Sequence, residues 1–214
     1  MNAIKINYQE TDEKLFGKSK FWGQPDLPDD LDLPVIPYED GDDPMTLVCQ
    51  IRCADLAAVD PDNLLPHEGM LYFFAYIDYY VGALGENNDN DEADYYNGMG
   101  EWDDETFRVL YSPNEDDLHT HVIEGTDGEP YSLPAEKVTF EVCPAAAVET
   151  KLLGLPGDPE VEQWYPDHIS LLQLCEEDRW LFRMYDCGII NFLITSEDLK
   201  ARRFDRAFVH LHSL

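Results

Sequence analysis

The hexapeptide KFWGQP at residues 20–25 returns as KLLGLP at residues 151–156, with lysine, glycine and proline in the same three places. Two further pairs of segments match downstream: LVCQI (47–51) with LLQL (171–174), and EGMLYFF (68–74) with CGIINFL (187–193). Three matches in the same order favour a duplicated unit over chance, because ordered self-similarity is the signature of a repeat. We therefore predict two related halves, with these correspondences: Lys20 with Lys151, Gln50 with Gln173, Gly69 with Gly188, and Phe73 with Phe192.

Short apolar runs between Pro, Asp and Gly turns recur along the chain, which is the pattern of strands. The strand candidates are TLVCQI (46–51), MLYFFAYIDYY (70–80), TFRVLY (106–111), LHTHVIE (118–124), KVTFEVC (137–143), ISLLQLC (169–175), RWLFRMY (179–185), GIINFLIT (188–195) and AFVHLH (207–212). Five prolines in residues 24–44 exclude a helix there and favour an extended surface segment.

Only one stretch carries a convincing helix signal. Thr195 can cap the helix, Asp198 sits three residues on as a capping box, and the pattern predicts a helix to about Phe204. A brief helical turn is also expected around residues 54–58, after the first apolar strand.

These elements predict an α+β fold of mainly antiparallel strands with few short helices. We expect one compact domain over residues 1–214. Its half-repeats should cover approximately residues 18–80 and 149–204, and an acidic insertion should occupy residues 82–105.

Charge is distributed very unevenly along the chain. The sequence holds 45 Asp and Glu against 14 Lys and Arg, a formal net charge of −31. Of these acids, 29 lie between Phe21 and Glu136, where the bases are Arg52 and Arg108. Such a field repels phosphates and anionic lipids and attracts basic partners. We therefore expect a basic protein as the partner, with no direct nucleic-acid or membrane binding.

The N-terminal residues contain no apolar stretch typical of a signal peptide, and no run approaches 18 apolar residues. The five cysteines are odd in number, and most lie in apolar runs such as TLVCQI. This usage is typical of reduced thiols in a cytosolic protein, so we expect a cytoplasmic location.

Seven runs follow one another in a recognisable order: KSKFWGQPDLP (18–28), TLVCQI (46–51), LPHEGMLYFF (65–74), FRVLYSP (107–113), KLLGLPGDP (151–159), SLLQLC (170–175) and CGIINFLITSEDLKARRF (187–204). In this order they resemble the YwqG-like family of bacterial proteins of unknown function, over residues 18–204. The chain departs from the family pattern at Trp22 and Leu153, where the family often has glycine. The resemblance implies an α+β fold with two related halves. It also implies a distant similarity to the programmed-cell-death-2 proteins, thought to chaperone a basic ribosomal protein, and it supplies no active site.

Two metal sites are conceivable, although neither ligand set is complete. The run ENNDNDEAD (86–94) is rich in oxygen ligands for calcium, but its spacing fails the EF-hand pattern. His119 and His121 would lie on one face of a strand, near Asp117 or Glu124, and could bind zinc. A solvated loop and exposed histidines explain both patterns better, so we expect no metal and no cofactor.

The acidic and aromatic stretch ADYYNGMGEWDDETF (93–107) is the best candidate for a binding site. Tyr and Trp anchor interfaces, while carboxylates set specificity and association rate against a basic partner. The predicted contact residues are Asp94, Tyr95, Tyr96, Glu101, Trp102, Asp103, Asp104 and Glu105. In the alternative interpretation, the aromatic rings turn inward and the loop is merely soluble.

We expect a non-enzymatic binding protein that masks a basic partner, in its most concrete form an immunity protein that neutralises a toxin. The alternatives are a chaperone for a basic, RNA-binding client such as a ribosomal protein, and an enzyme of unrecognised chemistry. The enzyme alternative has little support, because the patterns GxSxG, HExxH and GxGxxG do not occur.

Overall fold

The computed structural model describes residues 2–38, 41–77, 80, 98–125, 128–180, 184 and 187–213. These residues form fifteen strands and two α-helices. The strands are β1 (Ala3–Glu10), β2 (Lys20–Phe21), β3 (Asp26–Leu27), β4 (Val35–Tyr38), β5 (Gly41–Pro44), β6 (Thr46–Arg52), β7 (Met70–Ala75), β8 (Gly100–Glu101), β9 (Phe107–Ser112), β10 (His119–Thr120), β11 (Glu136–Cys143), β12 (Lys151–Leu152), β13 (His168–Cys175), β14 (Ile189–Thr195) and β15 (Phe208–His212). The helices are α1 (Pro159–Trp164) and α2 (Ser196–Lys200), and 3₁₀ turns occupy Cys53–Leu56, Asp178–Trp180 and Phe204–Arg206.

Eleven of these strands form one sheet, curled like half a barrel. Their order across the sheet is β8-β15-β14-β13-β12-β1-β11-β2-β6-β7-β9, and every pairing is antiparallel. The strand pairs β3–β10 and β4–β5 lie outside this sheet. The predicted class, α+β with mainly antiparallel strands and few short helices, is confirmed.

Two sets of four neighbouring strands repeat the same pattern, β2-β6-β7-β9 in the first half and β12-β13-β14-β15 in the second. Lys20 of β2 pairs with Gln50 of β6, and Lys151 of β12 pairs with Gln173 of β13. The β6–β7 register shifts just before Cys49, and the β13–β14 register shifts at the corresponding place. A bulge is a built feature of a strand pair, so its recurrence supports related halves.

The two glutamines also make equivalent hydrogen bonds. Gln50 Nε2 donates to the Lys18 carbonyl at 3.0 Å, while its Oε1 accepts from the Asp26 amide at 2.9 Å. In the second half, Gln173 Nε2 donates to the Glu149 carbonyl at 2.8 Å, and its Oε1 accepts from the Gly157 amide at 2.7 Å. The predicted equivalence of the lysine and glutamine pairs is therefore confirmed.

Strands β1 and β11 each precede one of these four-strand sets in the chain. Each pairs with the first strand of the other set, so the two halves are joined by strand exchange. β1 pairs with β12, β11 pairs with β2, and β1 pairs with β11 along its whole length. Ile4 and Glu136 hold corresponding positions opposite Leu152 and Phe21. This correspondence places the pseudo-twofold axis at the pair of Asn7 and Thr139.

Trp22 and Leu153 hold corresponding positions in the two halves, and both adopt left-handed backbone conformations. Their φ angles are 54° and 62°, and each is followed by a glycine that also has positive φ. Glycine adopts this region readily, whereas bulky residues adopt it with strain. Both side chains are almost fully buried, so packing offsets the strain.

The main core fills one face of the curled sheet and draws on both halves, including Phe73, Val109, Phe192 and Val209. A smaller core lies on the opposite face of the first half. It contains Leu27, Ile36, Met45, Leu47, Met70, Tyr72 and Phe74, so the described parts of the proline-rich segment, residues 24–38 and 41–44, cover it.

Several element boundaries differ from the sequence prediction. β7 ends at Ala75, so the predicted strand over residues 70–80 is too long, and residues 118–124 contribute only the two-residue strand β10. The predicted strand over residues 179–185 is wrong at its start, where a 3₁₀ turn lies, and most of its remainder lies outside the described residues.

Two helix predictions also need correction. Thr195 caps α2 as expected, accepting from the Asp198 amide, but α2 ends at Lys200 rather than Phe204. The prediction missed α1, whose first turn is capped by the Asp158 carboxylate and begins with Pro159. Proline favours that position because the first turn has no partner for its missing N–H. Neither of these helices in the described part of the chain has the length and apolar character needed to cross a membrane.

Candidate functional site

The described part of the predicted binding stretch includes β8 and the turn that joins it to β9, and these two strands stand at opposite ends of the sheet order. Asp103, Asp104 and Glu105 are exposed on this turn. The Asp103 amide donates to the Tyr80 hydroxyl at 3.1 Å, and the Thr106 amide donates to the Asp103 carbonyl at 2.9 Å. We call the segment Asp103–Glu105 the acidic turn; these bonds fix its backbone while its carboxylates face solvent.

Trp102 lies beneath the acidic turn instead of on its surface. Its side chain is 2% exposed and stacks on Tyr80, with ring centroids 4.1 Å apart. Its indole N–H donates to the Gly98 carbonyl at 2.7 Å. For Trp102, therefore, the structure matches the inward-packing alternative. Glu101 is exposed, whereas the predicted contact residues Asp94, Tyr95 and Tyr96 lie outside the described residues.

A second carboxylate surface, not predicted from the sequence, forms where the cover of the small core meets the loop after β9. Its exposed acids are Asp29, Asp30, Asp32, Asp116 and Asp117. Ser112 connects the two segments, because its hydroxyl donates to Asp30 at 3.0 Å and accepts from the Asn114 amide at 3.0 Å. The sequence shows these acids, but it does not show that the segments of Asp30 and Ser112, more than 80 positions apart, lie close together.

A cleft beside β1 and β11 was also not predicted. Arg179 lies in it, with its guanidinium 4.8 Å from the centre of the Tyr8 ring. Arg179 Nη2 is 3.0 Å from Glu136 Oε2, and Arg179 Nε is 4.0 Å from Glu177 Oε2. The Tyr8 hydroxyl donates to Glu177 at 2.7 Å. We call Tyr8, Glu136 and Glu177 the arginine cage.

Burial changes the acidity of two cage groups. Burial raises the pKa of Glu136 above its ordinary value, and the positive charge of Arg179 offsets part of that rise. Burial and the hydrogen bond to Glu177 raise the pKa of the Tyr8 hydroxyl well above its ordinary range. Tyr8 is therefore a neutral donor at any physiological pH, and a cation beside Glu136 lowers the pKa of that carboxyl and so favours its ionised form.

The two halves differ on the outer face of the sheet. The first half places apolar Leu47, Tyr72 and Leu110 there, in or against the small core. Matched through strand pairing, the corresponding residues of the second half are polar: Ser170, Asn191 and His210.

These three polar residues are buried, and only part of their hydrogen-bonding capacity is used within the described structure. The Ser170 hydroxyl donates to Asn191 Oδ1 at 2.5 Å, and Tyr165 contacts His210 Nδ1 at 3.2 Å. Asn191 Nδ2 and His210 Nε2 have no hydrogen-bond partner there. Burial lowers the pKa of His210 to about 4, and the charge of His212 acts in the same direction.

Neither of the conceivable metal sites gains support from the geometry. His119 is exposed on β10 and lies 3.2 Å from Asp29. Among the described residues, no group of three or more His, Cys, Asp or Glu side chains could hold a metal ion. The whole of the possible calcium run, residues 86–94, lies outside the described part of the chain.

A comparison with protein families agrees with the internal repeat. One family model matches the chain twice, at residues 19–155 and at residues 134–212. The chain belongs to the DUF1963 family, a domain of unknown function. Two overlapping matches within one DUF1963 chain agree with two halves that exchange their first strands. No curated protein matches the chain.

Proposed function

We propose that this DUF1963 protein is a non-enzymatic binding protein that masks a basic partner through exposed carboxylates. The observation that carries the proposal is the acidic turn. Asp103, Asp104 and Glu105 are exposed together, and none forms a salt bridge with a described Lys, Arg or His. Their charge is thus available to a cationic partner.

The two arginines in the acidic region are already engaged within the fold. Arg52 pairs with Glu115 at 2.7 Å. The Arg108 guanidinium donates to the backbone carbonyls of Asp104 and Phe107, at 2.7 and 2.6 Å. Arg108 thereby supports the acidic turn from below without neutralising its side chains, which leaves a long-range field that accelerates encounter with a cation-rich surface.

The most concrete form of this proposal is an immunity protein that covers the positively charged cleft of a toxin. The resemblance to YwqG-like proteins, and distantly to programmed-cell-death-2 proteins, favours a second form, a chaperone for a basic RNA-binding client. The two forms differ in the fate of the complex. An inhibited toxin stays bound, whereas a client must be released to RNA.

The proposal is tested by capturing partners from a lysate of the source cell and measuring association at several salt concentrations. The test variant combines Asp103→Asn, Asp104→Asn and Glu105→Gln. The matched control combines Glu160→Gln, Glu162→Gln and Asp167→Asn, three exposed carboxylates of the second half. We expect the test variant to lower the association rate at low salt more than the control, with little change in dissociation.

The identity of the captured protein and its release decide between the forms. A basic enzyme that stays inhibited in a stable complex supports the immunity protein, and release on addition of RNA supports the chaperone. Capture of acidic proteins or small molecules alone would contradict the proposal. Equal association rates for the test variant and the control would contradict the role of the acidic turn.

A further inference from the structure

The arginine cage has the chemistry of a guanidinium receptor. A guanidinium group binds the face of an aromatic ring and donates charge-assisted hydrogen bonds to carboxylates. Arg179 makes both kinds of contact: it lies over the Tyr8 ring and donates to Glu136. The Glu136 side chain is only 6% exposed, so its carboxylate is aimed into the cleft and away from bulk water.

Space for a further side chain lies on both sides of Arg179. A cavity of about 550 Å³ is bordered by Glu10, Asp12 and Glu136, together with the apolar walls of Leu133, Pro134 and Trp180. On the other side, a cavity of about 350 Å³ is bordered by Asn7 and Glu177 and by Lys5, which pairs with Glu149 at 3.0 Å. In the larger cavity, carboxylates beside apolar walls suit a side chain that has a hydrocarbon stem and a cationic end.

The fold itself does not require the cage, as the other half demonstrates. Across the pseudo-twofold axis, Tyr8 corresponds to Phe140 and Glu136 corresponds to Ile4, so neither the hydroxyl nor the buried carboxylate is repeated. The 3₁₀ turn that follows β6, Cys53–Leu56, contains no arginine. One half thus completes the same architecture with no such cage.

We infer that this cleft is a binding site for an arginine side chain of another protein, and that Arg179 occupies it in the absence of that partner. The inference is independent of the acidic turn, which lies elsewhere on the fold. Arg179 is a replaceable occupant, since its side chain is 34% exposed and its turn is only three residues long. The ion pair is open to solvent on its Arg179 side, so an incoming guanidinium that makes the same contacts with Tyr8 and Glu136 can compete with it.

Arginine amide is the probe, and lysine amide tests whether the planar guanidinium matters. Binding is followed by calorimetry and by the NMR shift of the Trp180 indole, which borders the larger cavity. Because an internal competitor lowers apparent affinity, Arg179→Ala should bind arginine amide at least about tenfold more tightly than the wild type. Arg179→Gln, which keeps a hydrogen-bond donor near Glu136, serves as the second variant if the alanine variant is poorly folded.

Two further variants make the result specific to the cage. Adding Glu136→Gln to Arg179→Ala should abolish the gain, since the buried carboxylate is then lost. Arg206→Ala removes an exposed arginine outside the cleft and should bind like the wild type. The inference is overturned if the Arg179 variants bind arginine amide no more tightly than the wild type. It is also overturned if they bind lysine amide equally well or if Glu136→Gln has no effect.

Discussion

The rings of Phe73 and Phe192 meet edge to face in the main core, with centroids 5.3 Å apart and planes at 76°. The two residues hold corresponding positions, because Phe73 pairs with Cys49 and Phe192 with Leu172, each beside the shared bulge. Residues matched by the repeat are therefore in direct contact, and the two halves share one core at this point.

Replacing either phenylalanine of this pair should destabilise the whole domain. Phe73→Ala and Phe192→Ala should each lower the free energy of unfolding by about 3–5 kcal/mol, through lost transfer energy and a cavity. The double variant should lose less than the sum, because the two rings share one contact. Denaturant unfolding measures all three, with Phe16→Ala as a control at a 56% exposed position. Strict additivity would show that the rings are not coupled.

The buried ion pair of Lys20 and Asp26 should be sensitive to loss of its cation. Burial alone would raise the pKa of Asp26, but the Lys20 ammonium at 2.7 Å and hydrogen bonds from Thr120 and Gln50 bring it below its usual value. Lys20→Met should therefore cost about 3–5 kcal/mol of stability, because it leaves a buried carboxylate uncompensated. Adding Asp26→Asn should recover part of the loss, whereas the exposed control Lys14→Met should change little. A double variant no more stable than Lys20→Met would contradict this account.

Replacing Trp102 should lower the stability of the fold, because its side chain is buried. Trp102→Ala removes a buried ring that stacks on Tyr80, and should lower the free energy of unfolding by about 3–5 kcal/mol. Trp102→Phe keeps a ring but loses the bond to the Gly98 carbonyl, a loss of about 1 kcal/mol. Thermal unfolding measures both changes. An alanine variant as stable as the wild type would instead indicate that Trp102 can leave the core.

His210 should make the protein less stable in mild acid. Its folded-state pKa is about 4, below the ordinary 6.5, so the unfolded chain takes up the proton first. The contribution of His210 is therefore fully present above about pH 6.5 and is lost as the pH falls towards 4. The titratable groups near His210 are Tyr165, Glu101, His212 and Asp158, and the variants that test this dependence leave all of them in place.

His210→Leu tests this dependence, because the first half carries Leu110 at the corresponding position. The free energy of unfolding of the leucine variant should fall less between pH 6.5 and pH 4 than that of the wild type. The exposed His119→Leu should keep the wild-type slope. Identical slopes for His210→Leu and the wild type would assign the acid sensitivity to other groups.

The strands and the repeat were largely predictable because their signals are local. Apolar runs such as TLVCQI and ISLLQLC have few alternatives to buried strands, and the order of the repeated segments is visible in the letters alone. Helix α1 was missed although Asp158 and Pro159 carry a start signal, since its six residues are too few to show a helical period. Residues 179–185 looked like a strand because composition cannot reveal that Trp180 turns into an aromatic cluster with Tyr8 and Trp22.

The candidate sites were less predictable than the fold. The sequence indicated the acidic turn because its carboxylates are consecutive, but it could not distinguish the buried Trp102 from an exposed anchor. The arginine cage joins Tyr8, Glu136 and Arg179, which lie far apart in the chain and carry no shared motif.

By itself, the sequence determined that this protein consists of two related, strand-rich halves with a strongly acidic first part, because apolar periodicity, repeated order and charge are properties of the letters. Only the tertiary structure decided that the first strands exchange between the halves, that Phe73 meets Phe192, and that Arg179 lies against Tyr8 and Glu136. The physical reason is that burial and pairing are relations between distant segments. They depend on which strand lies beside which in the sheet, and that order is settled by the packing of the whole core.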